Sequence, residues 1–285
     1  MKNPLQTVHR AFRKAWRTQA VVQKLPQKYV NTLRNIEACT GSLDGKTVLE
    51  VGSDPAGRFL TYLDQQRKLE RAVGINPCML EEKQFGKVEL RKVDAREIPY
   101  PDCYFDLVTS TSVFEHVQNL DVALNEIYRV LKPGGYMYAG LGPIWSGCWG
   151  HHLWFYHQNQ VVDWRSHQLP PYAHLLMSEA ELTSWCQEKY QDTELVQNIV
   201  KFVFHSDEQN RLFFSDYEKI VNESSFEIVY FVGVPDAPLI EGYECHNSGQ
   251  LFRNLRQRYP DKSGFGYHLI WMLLFRSETP RARDV

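Results

Sequence analysis

The sequence lacks the features that mark secreted, membrane-spanning or disulfide-bonded proteins. Its six cysteines lie far apart and include no CxxC pair, which favours reduced thiols. The longest apolar run, "YHLIWMLLF", is far too short to span a bilayer. The N-terminus has no apolar segment of the kind that a secretory signal needs. These absences predict a cytoplasmic protein without an integral membrane segment.

Acidic residues are also absent from the first 36 positions, which hold eight lysines and arginines before Glu37. The net charge of the whole chain is only −2, so composition predicts no nucleic-acid partner. Val8, Phe12, Ala15 and Trp16 have helical spacing. They predict a basic amphipathic helix, with four interpretations open: a transit peptide, weak contact with a membrane surface, a lid over an acidic pocket, or plain packing on the core.

Strands and helices alternate through the first half of the chain. Five apolar runs bounded by turn residues predict strands, in "KTVLEVG", "RAVGINP", "VELRKVDARE", "FDLVTSTS" and "GYMYAGLG". Helical periodicity occurs in "AGRFLTYLDQQRK" and "LDVALNEIYRVLK". This alternation predicts βαβ units in a parallel sheet, whose ligands bind beyond the carboxyl ends of the strands.

The first predicted strand ends in "LEVGSDPAG", which differs from a dinucleotide fingerprint at one decisive position. In that fingerprint the second glycine lets the backbone approach a pyrophosphate, whereas this chain has Asp54 there. The side chain and charge of Asp54 oppose a pyrophosphate. Aspartate at such a turn often accepts hydrogen bonds from backbone amides, which gives Asp54 a structural alternative.

The run from Thr47 to Gly135 resembles the class I S-adenosylmethionine-dependent methyltransferases, in their small-molecule, type 11-like branch. The resemblance is carried by "VLEVGSDPAG", "AVGINP", "VDAREIPYPDCYFDLVTSTSVFEHV" and "LNEIYRVLKPGGYMYAG". It implies an α/β, Rossmann-like methyltransferase fold with a mostly parallel seven-stranded sheet, helices on both faces and an inserted cap. It also implies S-adenosyl-L-methionine as cofactor and S-adenosyl-L-homocysteine as product.

The resemblance assigns cofactor roles residue by residue. The residues implied to bind the cofactor are Glu50, Gly52, Ser53, Asn76, Asp94, Ala95, Ser110 and His116. Asn76 stands where the family usually has a carboxylate that binds the ribose hydroxyls, and an amide binds them without charge assistance. Asp94 would accept a hydrogen bond from the adenine amino group. His116, in the pair Glu115-His116, either contacts the cofactor or packs the start of a helix.

The second half predicts two more strands, in "FEIVYFVGV" and "GYHLIWMLLFR", and helices in "SEAELTSWCQEKY", "FFSDYEKIVNESS" and "GQLFRNLRQRY". We interpret 1–285 as a single methyltransferase domain. Its predicted parts are an N-terminal helical lid at 1–40, a cofactor-binding core at 41–142, a cap at 143–207, and the last two strands at 208–285 with a second insertion at 236–264.

The segment "PIWSGCWGHHLWFYH" follows the fifth predicted strand and begins the cap. His151 and His152 are predicted catalytic residues, because histidine is the usual general base for removing a proton from a hydroxyl acceptor. Structural histidines bonded to backbone and a metal site are the alternatives. Trp149 and Tyr156 are predicted to bind the substrate, although packing within the cap explains them equally well.

Together these features predict methyl transfer to a small-molecule acceptor, by O-methylation of a hydroxyl on a sugar, polysaccharide or secondary metabolite. Methylation of a nitrogen atom is an alternative that the sequence leaves open. A nicotinamide-dependent oxidoreductase on a similar sheet is one alternative, which Asp54 opposes. A non-catalytic methyltransferase-like partner subunit is the other.

Overall fold

The computed structural model describes residues 25–167, 169–235 and 245–278. The basic helix predicted around Val8–Trp16 lies outside these residues. None of the described helices has both the length and the apolar character that a membrane crossing requires. Within the described residues, the cysteines at positions 39, 103 and 186 carry free thiols.

Eight strands of the described residues form one sheet in the order β3-β4-β2-β1-β5-β6-β10-β9. They are β1 (Thr47–Val51), β2 (Arg71–Ile75), β3 (Lys83–Phe85), β4 (Val88–Arg91), β5 (Phe105–Thr111), β6 (Leu131–Leu141), β9 (Glu227–Pro235) and β10 (Tyr267–Phe275). Strand β1 pairs in parallel with β2 on one side and with β5 on the other. Strand β2 also pairs in parallel with β4, and β5 with β6. The predicted α/β fold with a mostly parallel sheet is confirmed, but the prediction of seven strands was one too few.

Strand β3 is the strand that the sequence pattern did not predict. Its three residues, "KQF", are all exposed, and they pair antiparallel with β4 at the edge of the sheet. A strand that buries neither face needs no apolar run or alternation, so it carries no hydrophobic signal.

The register of the sheet brings the carboxyl ends of three strands together. Val51 of β1 pairs with Ile75 of β2 on one side and with Ser110 of β5 on the other. Val48, Leu49 and Val51 are almost fully buried, as expected for a central parallel strand covered on both faces. The loops that follow Val51, Ile75 and Thr111 therefore leave the sheet at the same edge.

Eight α-helices occur within the described residues: α1 (Leu25–Thr40), α2 (Arg58–Gln66), α3 (Leu120–Val130), α4 (Ala173–Leu176), α5 (Glu179–Lys189), α6 (Thr193–His205), α7 (Phe214–Glu223) and α8 (Cys245–Arg258). Helix α3 buries Leu120, Leu124 and Ile127 on one face, in the spacing that predicted it. Helix α5 begins after the N-cap residue Ser178, and Glu181 completes a reciprocal capping box.

The chain divides into two compact units. Among the described residues, unit 1 consists of 25–140, 220–231 and 271–278, and unit 2 of 141–167, 169–219, 232–235 and 245–270. In unit 1, Leu33 and Ile36 of α1 belong to the buried core. The interpretation of 1–285 as one domain with a cap at 143–207 stays a prediction.

Unit 2 contains a β-hairpin that the sequence pattern did not predict. Strands β7 (Trp154–His157) and β8 (Gln160–Asp163) pair antiparallel around a two-residue turn. Both turn residues, Gln158 and Asn159, have left-handed backbone angles, with φ of 47° and 64°. A type I′ turn requires that geometry, and the usual Asn-Gly signal is absent from this turn.

Candidate functional site

Unit 1 has an open pocket at the carboxyl end of β1. Its lining residues come from α1, the loop after β1, the start of α2 and the end of β5: Lys28, Tyr29, Thr32, Glu50, Gly52, Asp54, Phe59 and Thr111. Two of the residues predicted to bind the cofactor, Glu50 and Gly52, are in this lining. The pocket lies where parallel α/β sheets bind their ligands.

Gly52 starts the loop after β1 in a conformation that favours glycine, with φ of +82°. A Cβ on Gly52 would lie 2.1 Å from Cγ2 of Val113, so the space beside it is already filled. The backbone N–H groups of Gly52 and Ser53 both donate to the carbonyl of Ile75, at 2.8 and 3.2 Å. The tight turn expected at Gly52 is therefore also a close contact with the segment after β5.

Asp54 holds this loop through its carboxylate. Its two oxygens accept hydrogen bonds from the backbone N–H groups of Ala56, at 2.8 Å, and Arg58, at 3.1 Å. Arg58 is the first residue of α2, so its amide lacks a partner within the helix, and Ala56 lies in the turn before it. Asp54 thus has the structural role that the sequence left open, and it also lines the pocket.

Glu50 is the most perturbed carboxyl group of the pocket. Burial raises the pKa of Glu50 to about 7, and the negative charge of Asp54 adds to this effect. A hydrogen bond from Ser53 and the positive charge of Lys28 lower the pKa, but they do not compensate. Within the described residues, the buried Oε2 atom of Glu50 has no hydrogen-bond partner. A cationic ligand would supply the missing partner for this oxygen.

Asn76 connects the loops that follow β1 and β2. Its side-chain Nδ2 donates to the carbonyl of Ser53 at 3.1 Å, and its Oδ1 accepts from the backbone N–H of Cys78 at 2.8 Å. A carboxylate at this position could accept from Cys78 but could not donate to Ser53. The amide is therefore required by the loop as it is built here, and it lies at the predicted position after β2.

Asp94 lies in the loop after β4 and is held by Arg96. The guanidinium of Arg96 donates to both carboxylate oxygens of Asp94, at 2.9 and 2.7 Å, and the backbone N–H of Arg96 adds a third bond of 2.9 Å. These bonds lower the pKa of Asp94, chiefly through the side chain of Arg96. Ala95 beside it is buried. The sequence did not indicate that the predicted adenine acceptor already has an ionic partner.

The end of β5 supplies Ser110 and the segment that contains His116. The buried hydroxyl of Ser110 donates to the carbonyl of Val51 at 3.1 Å, which fixes it to β1. Glu115 and His116 form a short 3-10 helix with Phe114, and Glu115 is fully buried. This local structure agrees with the predicted helical start, and direct contact of His116 with a cofactor stays a prediction.

In unit 2, His151 is a buried histidine in a cluster of aromatic rings. Burial holds the pKa of His151 well below its ordinary value, and the neighbouring His174 lowers it further. Its Nδ1 accepts a hydrogen bond from the backbone N–H of Leu153 at 3.1 Å. The proton of the neutral ring therefore resides on Nε2, which has no hydrogen-bond partner among the described residues. In this tautomer His151 is a donor at Nε2, whereas a general base needs an available lone pair.

His152 has its Nδ1 within 2.6 Å of Nε2 of Gln209. The same amide nitrogen donates to the carbonyl of Pro143 at 3.2 Å, and a carbonyl can only accept. This contact fixes the orientation of the amide, so that Gln209 also donates to His152 Nδ1. The backbone of His152 is left-handed, with φ of 50°. Both histidines thus use Nδ1 as an acceptor, and their predicted catalytic role stays a prediction.

The predicted substrate-binding residues Trp149 and Tyr156 occupy different parts of unit 2. Trp149 is buried, and its ring stacks on Trp164 with centroids 6.2 Å apart. Tyr156 lies on β7, is half-buried, and packs edge-on against Trp154 at 5.5 Å. The structure does not bring Trp149 and Tyr156 into direct ring contact, and their binding of a substrate stays a prediction.

The residues that the sequence did not single out are those of α1. Tyr29 packs against Phe59 and Tyr62, with ring centroids 5.3 and 5.7 Å apart, and this packing directs the neighbouring Lys28 and Thr32 to the pocket. Burial raises the pKa of Tyr29 to about 12, and the charges of Asp54 and Glu50 contribute. The helical spacing of the apolar residues Leu33 and Ile36, which the structure buries, was the sequence signal for this helix.

The sequence matches a family model described as a methyltransferase domain over residues 49–139. A curated relative, the ubiquinone/menaquinone biosynthesis C-methyltransferase UbiE of Vibrio campbellii, is 33% identical over 108 residues, which are 34% of this chain and 41% of the relative. The UbiE of Escherichia coli O1:K1 / APEC is 35% identical over 108 residues, 34% of this chain and 43% of that protein. The chain thus spans less than half the length of these relatives.

Solved structures with the same fold extend the similarity along the chain. One is a chain from the complex between the Haloferax volcanii Trm112 methyltransferase activator and a methyltransferase, with a TM-score of 0.50, 16% identity, and coverage of 93% of this chain and 97% of that one. Another, from Listeria monocytogenes, is described as an S-adenosylmethionine-dependent methyltransferase, with a TM-score of 0.50, 12% identity, and coverage of 89% and 100%. At such low identity these structures show the shared fold alone.

Proposed function

We propose, from the premise that this chain carries a class I S-adenosylmethionine-dependent methyltransferase domain, that it transfers a methyl group to a small-molecule acceptor. The observation that carries the proposal is the pocket of unit 1 at the carboxyl end of β1, which is lined by Glu50. One carboxyl oxygen of Glu50 is buried and has no hydrogen-bond partner among the described residues. The amino-acid end of S-adenosylmethionine bears an ammonium group, which fits this oxygen. When bound, the cofactor supplies a methyl group on a positively charged sulfur.

The pocket favours this cofactor over a nicotinamide dinucleotide. Glu50 and Asp54 are both in its lining, and the carboxylate of Asp54 stands where a dinucleotide site has glycine. Two carboxyl groups attract a cation and repel a pyrophosphate. No feature of the described residues favours the oxidoreductase alternative.

The reaction requires the protein's own residues to orient the acceptor, to exclude water and to take up the proton that a hydroxyl acceptor loses. His151 and His152 are the proposed groups for acceptor orientation or proton removal, with Trp149 and Tyr156 as proposed acceptor contacts. For the proton step, a histidine must release the hydrogen bond that its Nδ1 accepts from Leu153 or Gln209.

We propose two alternatives for the atom that accepts the methyl group. A hydroxyl of a sugar, polysaccharide or secondary metabolite is the first, and it requires the proton-accepting histidine. A carbon acceptor is the second, and it is supported by the C-methyltransferase relatives that match about a third of this chain. An activated carbon nucleophile attacks the methyl group first and then loses its own proton to water, so it does not need a histidine whose lone pair is available.

Isothermal titration calorimetry tests the first step of this proposal. We expect binding of S-adenosylmethionine and S-adenosylhomocysteine, and none of NAD. Binding of NAD without S-adenosylmethionine would overturn the proposal.

A second experiment identifies the acceptor atom. A ¹³C-methyl-labelled cofactor is incubated with panels of hydroxylated and of quinol-type acceptors. The carbon chemical shift of the product then distinguishes a methyl ether from a methyl group on carbon, and cofactor binding without transfer to any acceptor would favour a non-catalytic subunit.

A further inference from the structure

Helix α1 brings a cation to the pocket of unit 1. Lys28 lines the pocket together with Glu50, and its positive charge lowers the pKa of that carboxyl group. The helix is anchored by the buried Leu33 and Ile36 and by the packing of Tyr29 on Phe59. The position of Lys28 is therefore set by the core of unit 1.

The charged groups of the pocket differ in the hydrogen bonds and ion pairs that they already make within the protein. Asp54 accepts two backbone hydrogen bonds, so its carboxylate has a structural role. Lys28 is exposed, and among the residues that the structure describes it makes no hydrogen bond or ion pair. Glu50 has the buried oxygen noted above. Beside the carboxylate of Asp54, which is held by the backbone, the pocket thus offers the ammonium group of Lys28 and the carboxyl group of Glu50 to a ligand.

We propose that Lys28 binds the carboxylate of the cofactor's amino-acid end, opposite Glu50, which binds the ammonium group, so that α1 is part of the cofactor site. This inference rests on the proposed function. It adds to that function a residue from outside the segment 49–139 that matches the methyltransferase domain. The amino-acid end of S-adenosylmethionine is a zwitterion, and Lys28 and Glu50 together complement both of its charges.

The hydroxyl groups of Tyr29, Thr32 and Thr111 complete the polar lining. None of them carries a formal charge at neutral pH: threonine hydroxyls do not ionise, and burial and the neighbouring carboxyl groups raise the pKa of Tyr29 to about 12. Arg58 also lies close enough to lower the pKa of Tyr29, but it is not among the lining residues. Lys28 is therefore the cation that the pocket itself presents.

The test compares two cofactors that differ only in the proposed contact. S-Adenosylmethionine has the carboxylate, whereas decarboxylated S-adenosylmethionine lacks it and keeps the ammonium and sulfonium groups. Calorimetry measures the dissociation constant of each for the wild-type protein and for Lys28→Met, Lys28→Arg and Glu50→Gln. Lys68→Met, which removes an exposed lysine of unit 1 away from the pocket lining, is the matched control.

We expect Lys28→Met to weaken the binding of S-adenosylmethionine by about 5- to 20-fold, a charge-assisted hydrogen bond reduced by solvent screening, and to leave the decarboxylated form unchanged. Lys28→Arg should retain most of the affinity, and Glu50→Gln should weaken both ligands. Equal losses for both ligands in Lys28→Met, or no loss for either, would overturn the inference and leave the proposed function standing. Absence of S-adenosylmethionine binding in the wild-type protein would instead overturn the proposed function.

Discussion

The side-chain amide of Asn76 donates a hydrogen bond to the backbone carbonyl of Ser53, at 3.1 Å, across the ends of two neighbouring strands. The same side chain accepts a bond from the backbone of Cys78. This pair of contacts requires a side chain that both donates and accepts, as an amide does. A carboxylate there would place a negative oxygen against the carbonyl of Ser53.

Asn76→Asp should therefore destabilise the protein. The variant loses the bond to Ser53 and sets two acceptors against each other, at a cost of about 1–2 kcal/mol in the free energy of unfolding at pH 7. Urea denaturation measures this change. Asn125→Asp, on the exposed face of α3, makes the same change of charge away from the loops. If both variants are equally stable, the contact with Ser53 has no structural weight.

Gly52→Ala should be more costly than a glycine substitution that strains only the backbone. Gly86 also has a positive φ, of 60°, but nothing lies within 4 Å of its Cβ position. Gly86→Ala should cost about 1 kcal/mol, whereas Gly52→Ala adds an overpacking penalty of about 1–3 kcal/mol against Val113. Val113→Ala in the Gly52→Ala background should recover only part of this penalty, because Cβ of Val113 itself lies 2.9 Å away. Chemical denaturation of Gly86→Ala, Gly52→Ala, Val113→Ala and the double variant shows whether Gly52 and Val113 are coupled.

Asp94→Ala should weaken cofactor binding by about 10- to 100-fold if Asp94 binds the adenine amino group. The ion pair between Asp94 and Arg96 is more than a third exposed on both sides, so its loss should change stability by less than about 1 kcal/mol. Arg96→Ala removes the same ion pair but keeps the acceptor oxygens, and it should retain cofactor affinity. Calorimetric affinities that fall equally in the two variants would contradict the role of Asp94.

The buried His151 should make the protein less stable in mild acid. Because the pKa of His151 is lower in the folded than in the unfolded state, the unfolded chain takes up its proton first as the pH falls. Stability is then lost below about pH 6.5, by at most about 1.4 kcal/mol per pH unit. His151→Gln should remove this part of the dependence, and His205→Gln, which changes an exposed histidine, should not. Denaturation curves between pH 5 and 7.5 measure both.

When no cofactor is bound, ionisation of Glu50 should make the protein less stable as the pH rises, the opposite of the effect of His151. Its folded-state pKa, raised to about 7, lies above its ordinary value, so its contribution is present at low pH and is lost as the pH rises through 7. Glu50→Gln should therefore be more stable than the wild type at pH 8, by about 1–3 kcal/mol, and show little difference at pH 5. The exposed Glu70→Gln is the control in the same thermal or urea measurement. An equal difference at both pH values would mean that ionisation of Glu50 is not the cause.

The strand ends of the candidate site could be predicted from sequence because central parallel strands are continuous apolar runs. That pattern locates the ends at Val51, Ile75 and Thr111, where Gly52, Asn76 and Ser110 were expected. The hydrogen bonds that Asp54 accepts from backbone amides were one of two alternatives that its position in a turn allowed. These features depend on residues that are close together in the chain.

Contacts between distant segments could not be predicted in the same way. The bond between Asn76 and Ser53 and the location of Lys28 in the pocket depend on which loops meet after the sheet is formed. The hairpin of β7 and β8 has no alternation of apolar and polar residues and no Asn-Gly turn, so its pairing had no local signal. The exposed strand β3 escaped prediction for a related reason, since it has no buried face.

Tryptophan is unevenly distributed between the two units, and this makes fluorescence a selective probe. Of the seven tryptophans, unit 2 holds Trp145, Trp149, Trp154, Trp164 and Trp185, whereas Trp271 is the one within the described residues of unit 1. Intrinsic emission during unfolding therefore reports mainly on unit 2, while far-ultraviolet circular dichroism reports on both units. Coincident transitions would show that the two units unfold as one cooperative body, and a fluorescence transition at lower denaturant would show that unit 2 unfolds first.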